Sequence, residues 1–386
     1  MAVPNERGEK KIKALILSCN TGEGHNSVAK AIKQCFDAAG EQCDIIDSLA
    51  LIDEKVSELM SKGHVFMYRH IPVLFKRGYA RAEEHEERFA EGSFTYELMA
   101  SGAERLYKLI TDGSYDTVIC PHVFSGLMLT EVRKQYDAKF ISCFVDTDYT
   151  VSPGAAESRL DKYFLPDESV IKDIDNVDME RTVISGIPVR QEFFSRRDKA
   201  AAKRALGIPE NAKHILMMCG SMGCGPIKRL AQGLAEAMGE NQFLTVVCGT
   251  NQRLETRLEN QVEEKENVRI LGYADNVPAL MDSADLYLTK PGGISVSEAA
   301  AKTLPMVLVD AVAGCEKYNL DYALEKGIAK TADGVEELIT LTMGLISDEE
   351  ELEKMRAAAL TLSERNGGRI VYDCLKQMER ENRNTK

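Results

Sequence analysis

The sequence predicts an α/β protein made of two doubly wound halves of comparable size with a cleft between them. Three observations carry that expectation. Ile12 to Cys19 is a nearly continuous apolar run, the pattern of a parallel strand buried on both faces, and it leads into a glycine-containing turn and a helical pattern. The same succession of strand, glycine-rich turn and helix restarts at His214. From Ala284 to Asn319 the chain then reads strand, Gly-Gly turn, helix, strand, loop and helix without interruption. In open α/β sheets ligands bind beyond the carboxyl ends of the strands, so the turns that follow these strands are where function is sought.

In the first half, the turn Asn20-Thr21-Gly22-Glu23-Gly24-His25-Asn26-Ser27 opens a helix through Val28, Ile32, Cys35 and Phe36 that Gly40 ends. Cys43 to Asp47 completes a βαβ unit. The turn lacks the third glycine of a dinucleotide fingerprint, so no nicotinamide cofactor is expected. His25, at the head of the helix, is either an ordinary surface histidine or a candidate general base. Ser48 to Gly92 is the least regular stretch. Its apolar residues between Val56 and Phe75 are mixed with Lys62, Arg69, Lys76, Arg77 and Arg81. That pattern fits an apolar, basic lip for a membrane-bound partner or two core helices with solvated charges. Phe94 to Thr111 reads as a helix and Thr117 to Cys120 as a strand, followed by Pro121-His122-Val123-Phe124. The strand Phe140 to Val145 ends in Asp146-Thr147-Asp148, expected to be a loop facing the cleft rather than a metal site. Lys162 to Leu165 and Thr182 to Ser185 are further strands, and Gly186-Ile187-Pro188-Val189-Arg190 leaves the first half. A charged helix from Ser195 to Leu206 links it to the second.

In the second half, the strand His214 to Cys219 runs into the turn Gly220-Ser221-Met222-Gly223-Cys224-Gly225. Strands follow at Phe243 to Cys248 and at Val268 to Leu271, the latter ending in Gly272-Tyr273. The turn Lys290-Pro291-Gly292-Gly293 precedes the helix Ile294-Ser295-Val296-Ser297-Glu298. A helix N-terminus presents unpaired N–H groups and a positive dipole end, which suits a phosphate. Gly292 and Gly293 have no Cβ, so a diphosphate can approach the backbone closely. Ser295 and Ser297 can add hydroxyl donors, and Glu298, one turn in, can accept from both hydroxyls of a ribose. The loop Gly314-Cys315-Glu316-Lys317-Tyr318-Asn319 follows the next strand. The tail from Asp348 to Arg383 is helical in pattern and highly charged. The expected domains are 1–190 and 191–386, with the last helix a candidate to pack back on the first.

The 386 residues suit about two or three domains. A net charge of −13 argues against a nucleic-acid binder, which needs a basic footprint. Met1 to Lys13 has no apolar core of a signal peptide, and no run approaches the ~18 apolar residues of a membrane span. The expectation is a cytoplasmic protein, or one lying on the cytoplasmic face of a membrane. None of the ten cysteines forms a Cys-x-x-Cys. Cys19, Cys120, Cys143, Cys219 and Cys248 lie in or beside apolar strands, as small buried hydrophobes rather than disulfide partners or zinc ligands.

Taken together, Thr21-Gly22-Glu23-Gly24-His25, Gly186-Ile187-Pro188-Val189-Arg190, Lys290-Pro291-Gly292-Gly293 through Glu298, and Glu316-Lys317-x-Asn319 resemble the monogalactosyldiacylglycerol synthase and processive diacylglycerol glucosyltransferase family. The resemblance runs from about Ile12 to the last helix. It implies a GT-B fold, two Rossmann-like domains with the active site in the cleft between them. The C-terminal domain would hold a UDP-sugar, a co-substrate rather than a cofactor. The N-terminal domain would receive a lipid or other hydroxyl acceptor. A hexose, glucose or galactose first, would be transferred with inversion and without a bound metal. The resemblance makes His25 the essential histidine, with Asp148 the next candidate base. It puts Gly22, Gly24 and Thr147 on the acceptor side. On the donor side it puts Gly220, Ser221, Gly223, Gly272, Tyr273, Pro291, Gly292, Gly293, Ile294, Ser295, Glu298, Glu316 and Asn319. Cys315 stands where a glutamine is common, Ala313 replaces a proline, and Ser152 stands where lipid-active members often carry histidine. Asp146 has no counterpart. Other functions on the same architecture are a UDP-sugar epimerase, a transferase to a non-lipid acceptor, and a non-catalytic nucleotide-sugar sensor.

Overall fold

The computed structural model describes residues 11–19, 22–53, 55, 57–58, 86–173, 179–220, 223, 225–262, 264–309 and 314–384. Most of the basic and apolar stretch expected as a lip, and Thr21, Ser221 and Ala313, lie outside them. Two six-stranded sheets form the framework, and every strand pairing in them is parallel. The first contains β1 (Lys13–Ser18), β2 (Gln42–Asp47), β3 (Thr117–Cys120), β4 (Ile141–Val145), β5 (Lys162–Leu165) and β6 (Thr182–Ile184), in the order β2-β1-β3-β4-β5-β6. The second contains β7 (Lys213–Met218), β8 (Gln242–Val247), β9 (Val268–Leu271), β10 (Leu286–Thr289), β11 (Met306–Leu308) and β12 (Ala329–Lys330), in the order β12-β11-β10-β7-β8-β9. β1, β3, β4 and β10 are buried along nearly their whole length, which is why they read as unbroken apolar runs.

Each sheet reverses direction once, between β1 and β3 in the first and between β7 and β10 in the second. The loops leaving those four strands therefore splay apart and open a crevice at each reversal. The two crevices face one another.

One apolar cluster runs through both halves, joining Ile16, Val28 and Phe164 to Tyr287, Val296 and Tyr322 by way of Tyr149, Ile187 and Val189. At the junction the rings of Tyr149 and Tyr322 stack with centroids 3.7 Å apart, and the Tyr149 hydroxyl lies 2.9 Å from Ser297 Oγ. The last helix, Gly367–Asn384, lies against Glu23–Ala38 of the first half, where Tyr372 meets Phe36 edge-on at 5.0 Å and Lys376 pairs with Glu41.

Some elements differ from the sequence reading. The expected helix Phe94 to Thr111 is two helices, Phe94–Ala100 and Ala103–Gly113. Gly102 marks the break; a Cβ there would lie 2.8 Å from the Met128 side chain, so the chain passes too close to its neighbour for any other residue without a shift. The linking helix is shorter than expected, Lys199–Ala205, because Asp198 caps it through the Ala201 N–H. The charged tail is helical as expected, in two helices, Glu349–Ser363 and Gly367–Asn384.

Candidate active site

The turn after β1 enters the helix Glu23–Ala38, and its first turn carries His25 over the end of β3. His25 Nδ1 lies 2.9 Å from the carbonyl oxygen of Pro121. A carbonyl can only accept, so Nδ1 carries the hydrogen and Nε2 keeps its lone pair. Thr147 Oγ1 is 3.4 Å from the same Nδ1. Burial holds the imidazole below its ordinary pKa, with Asp148 and the Pro121 carbonyl pulling the other way. The ring is therefore neutral near pH 7, the state a proton acceptor needs. His122 packs edge-on against it at 4.6 Å. That second histidine caps the helix Val123–Gln135 by accepting the Phe124 N–H at Nδ1, 3.1 Å away.

The loop after β4 divides the two aspartates. Asp146 is buried off the cleft and accepts from the Ser152 hydroxyl at 3.0 Å. Burial pushes its carboxyl up to about 8, against the pull of the Ser152 hydroxyl and N–H. Thr147 and Asp148 face the cleft. Asp148 accepts from Thr147 Oγ1 at 3.3 Å and from Asn319 Nδ2, in the other domain, at 2.7 Å.

Opposite, the turn after β10 feeds the helix Gly293–Ala301, whose N-terminus has no side-chain cap and opens into the cleft. Glu298 is buried along its wall, and Arg190 Nη2 is 3.9 Å from its Oε1. The cleft between the halves has a volume of about 610 Å³. Of the expected site residues it brings together Gly22, Gly24, His25, Thr147, Asp148, Gly220, Tyr273, Gly292, Gly293, Ile294, Ser295, Glu298 and Glu316.

Four donor-side residues do not line it, and each has a packing reason. Asn319 is fully buried and its amide bridges the domains, accepting the Tyr149 N–H at 2.6 Å while donating to Asp148. Gly223 has φ of +56° and sits on the Cys248 carbonyl, where a Cβ would come within 2.2 Å. Gly272 packs against the Glu255 carboxylate, and Pro291 is buried. The Ser297 hydroxyl, expected as a donor in the first turn, is bonded to the Gly293 carbonyl and Tyr149. Gly293 is also small for a reason beyond the one expected. A Cβ there would lie 2.2 Å from the Thr147 carbonyl oxygen, so it admits the opposite domain.

Sequence reasoning passed over His122, Arg190 and the apolar wall of Phe89, Phe124 and Pro153, all of which line the cleft. His122 carried the same signal as His25, a histidine just past the end of a parallel strand. Arg190 lay in a quoted motif without a role. Phe89 carried no signal, since its place is fixed by long-range packing.

Comparison with known proteins accords with this geometry. Residues 25–189 match the family described as monogalactosyldiacylglycerol (MGDG) synthase, and residues 226–361 match glycosyl transferases group 1. The chain is 30% identical to a processive diacylglycerol beta-glucosyltransferase of Bacillus mycoides, over 90% of this chain and 89% of that one. It is 26% identical to the protein of that name from Bacillus licheniformis, over 95% of both. Among solved structures, MurG of Acinetobacter baumannii superposes with a TM-score of 0.65 at 14% identity, covering 95% of this chain and all of that one. The UDP-GlcNAc 2-epimerase of Neisseria meningitidis superposes with a TM-score of 0.60, also at 14% identity, covering 95% of this chain and 100% of that one. Those two likenesses speak to the fold alone. The relatives, the two matched families and the paired parallel sheets converge: the chain belongs to the monogalactosyldiacylglycerol synthase and processive diacylglycerol glucosyltransferase family, and is a glycosyltransferase of GT-B fold.

Proposed function

We propose that the chain transfers a hexose from a UDP-sugar to a hydroxyl of a diacylglycerol-type lipid, with inversion at the anomeric carbon. The observation that carries this is the arrangement across one cleft. A neutral histidine with its tautomer fixed stands on one wall, and an uncapped helix N-terminus with a buried carboxylate stands on the other. The acceptor oxygen attacks the anomeric carbon as the bond from that carbon to the UDP oxygen breaks. The proton passes to His25 Nε2, and UDP leaves with the bonding electron pair. The helix N-terminus and Lys290, which also lines the cleft, offset the negative charge gathering on the diphosphate. That is the argument for transfer without a bound metal, and activity undiminished by EDTA is the expected result. Glu298 accepts from the ribose hydroxyls. The apolar wall of Phe89, Phe124 and Pro153 suits the acyl chains of a lipid better than a polar acceptor, and the relatives' names favour diacylglycerol and glucose.

No helix among the described residues is long and apolar enough to cross a membrane. A diacylglycerol lies in a bilayer, so the proposal includes a cytoplasmic enzyme that meets the membrane peripherally. The test offers UDP-glucose, UDP-galactose and UDP-GlcNAc with diacylglycerol in mixed micelles, and reads products by mass spectrometry. A hexosyl-diacylglycerol is expected. Epimerised donor without acceptor, transfer only to water-soluble acceptors, or binding without turnover would each replace the reading with one of its alternatives.

A further inference from the structure

We propose that Arg190 is a positioning residue of the donor site: from the segment that joins the two domains, it holds the Glu298 carboxylate charged for the ligand's hydroxyls. This rests on the reading of Glu298 as the ribose acceptor.

The geometry has three parts. Arg190 follows β6 and belongs to the chain leaving the N-terminal domain, whereas Glu298 lies in the helix Gly293–Ala301 of the other. Their closest approach, Nη2 to Oε1, is 3.9 Å, and Glu298 is the more deeply buried of the pair, with 9% of its side chain exposed against 29%. That distance is too long for a hydrogen bond, so Arg190 supplies charge and leaves the carboxylate lone pairs to a ligand. The guanidinium is itself held in place. It lies over the Phe193 ring at 5.1 Å, and its Nε is buried without a hydrogen-bond partner. Leaving a buried donor unpaired is costly, which fits a group placed for its field rather than for its contacts.

The charge is needed because burial works against it. Burial raises the Glu298 pKa to about 7 even against the opposing pull of Arg190. Glu298 in turn acts on the Tyr287 hydroxyl of β10, which burial first and then Glu298 push far above the ordinary tyrosine range. Tyr287 stays neutral and does not compete. A protonated Glu298 would present a donor where two hydroxyls seek acceptors. Without Arg190, that neutral form persists to higher pH.

The experiment measures UDP affinity from pH 5.5 to 9 for wild type, Arg190→Gln, Arg190→Lys and Glu298→Gln, with melting temperatures for each. The UDP phosphate titrates in this range, so the Glu298→Gln profile serves as the baseline. Relative to it, wild-type affinity should fall as pH drops through about 7. In Arg190→Gln that fall should move to higher pH. The loss should be roughly tenfold near pH 7, what one pKa unit yields, and should close at alkaline pH. Arg190→Lys keeps the charge and should keep the wild-type profile. In the Glu298→Gln background, Arg190→Gln should change nothing further. Weakening by Arg190→Gln that is the same at every pH, or a lysine variant shifted as far as the glutamine one, overturns the proposal. Should Glu298→Gln itself leave UDP affinity intact, it is the ribose reading that fails.

Discussion

The turn after β1 and the turn after β10 occupy equivalent places. Each follows a central parallel strand next to a sheet reversal, and each enters a helix that points into the same cleft. Their chemistry is opposite. The first puts a histidine in the opening turn and fixes its hydrogen on the side away from the lone pair, so it offers a proton acceptor. The second leaves its N–H groups uncapped and buries a carboxylate one turn later, so it offers donors to an anion and acceptors to hydroxyls. One architecture used twice thus yields two half-sites, and what differs is the few side chains at each helix head. The meeting of the two turns is itself specified, because Gly293 has room for Thr147 of the other domain only in the absence of a Cβ.

That division of labour can be broken most sharply at His25. His25→Ala should lower turnover by ~10²–10⁴-fold, the range for a positioned acid–base group, while UDP affinity and melting temperature stay near wild type. The pH dependence has a definite sign. The imidazole pKa lies below 6.5, so kcat at saturating donor should fall only on the acid side of that value, as His25 takes up its own proton. Full activity in a folded His25→Ala protein would move the proton acceptor to Asp148.

Glu298→Ala is the mirror test. UDP should bind more weakly by ~1.5–3 kcal/mol, the usual worth of hydrogen bonds to a charged group. A UDP analogue lacking both ribose hydroxyls should show little loss, and calorimetry on the two ligands decides the matter. Equal losses would mean that Glu298 shapes the wall without meeting the ribose. If His25→Ala weakened UDP as much as Glu298→Ala does, the two half-sites would not be separable.

Gly293→Ala probes the contact between the turns. The new methyl group would press on the Thr147 carbonyl, and overpacking of this kind costs ~1–3 kcal/mol. Thr147 and Asp148 move with that carbonyl, so turnover should fall together with the melting temperature. A variant as stable and active as wild type would show that the domains tolerate a wider gap. Gly292→Ala is the control for the melting temperature, since only Ser295 Oγ, at 4.0 Å, stands near the added atom.

The doubly wound halves were legible because buried parallel strands leave apolar runs and the first run of each half was followed by a glycine turn. His25 and Glu298 were legible for the same local reason, as polar side chains at helix heads just past strand ends. The interdomain contacts of Asn319 and Gly293 were not legible. Both face the other domain, and a contact across 170 residues, such as that between Asn319 and the Tyr149 N–H, leaves no mark in local pattern. Arg190 shows the same limit from the other side, since its partner Glu298 lies far along the chain. The motif containing Arg190 and the helix carrying Glu298 were both visible, and their pairing was not.

The smallest expected effect lies where the halves touch away from the cleft. Asp167 of the first half takes Lys326 Nζ at 3.3 Å and lies 3.4 Å from the Tyr322 hydroxyl, both from the second. Burial tends to raise the Asp167 carboxyl, but hydrogen bonds from Ser169 and the charge of Lys326 bring it below its ordinary value. A depressed carboxylate pKa adds stability above the unfolded value and loses it as pH falls through the folded one, so the pair is intact at neutral pH. Lys326 is about a third exposed, which screens its attraction. Lys326→Ala should therefore cost only ~0–1 kcal/mol at neutral pH, with the deficit in melting temperature shrinking further in high salt. UDP affinity and turnover should not change, because neither residue lines the cleft. A drop in turnover at unchanged stability would mean that this pair sets the spacing of the domains. The burden now placed on Gly293, Tyr149 and Asn319 would then be shared with it.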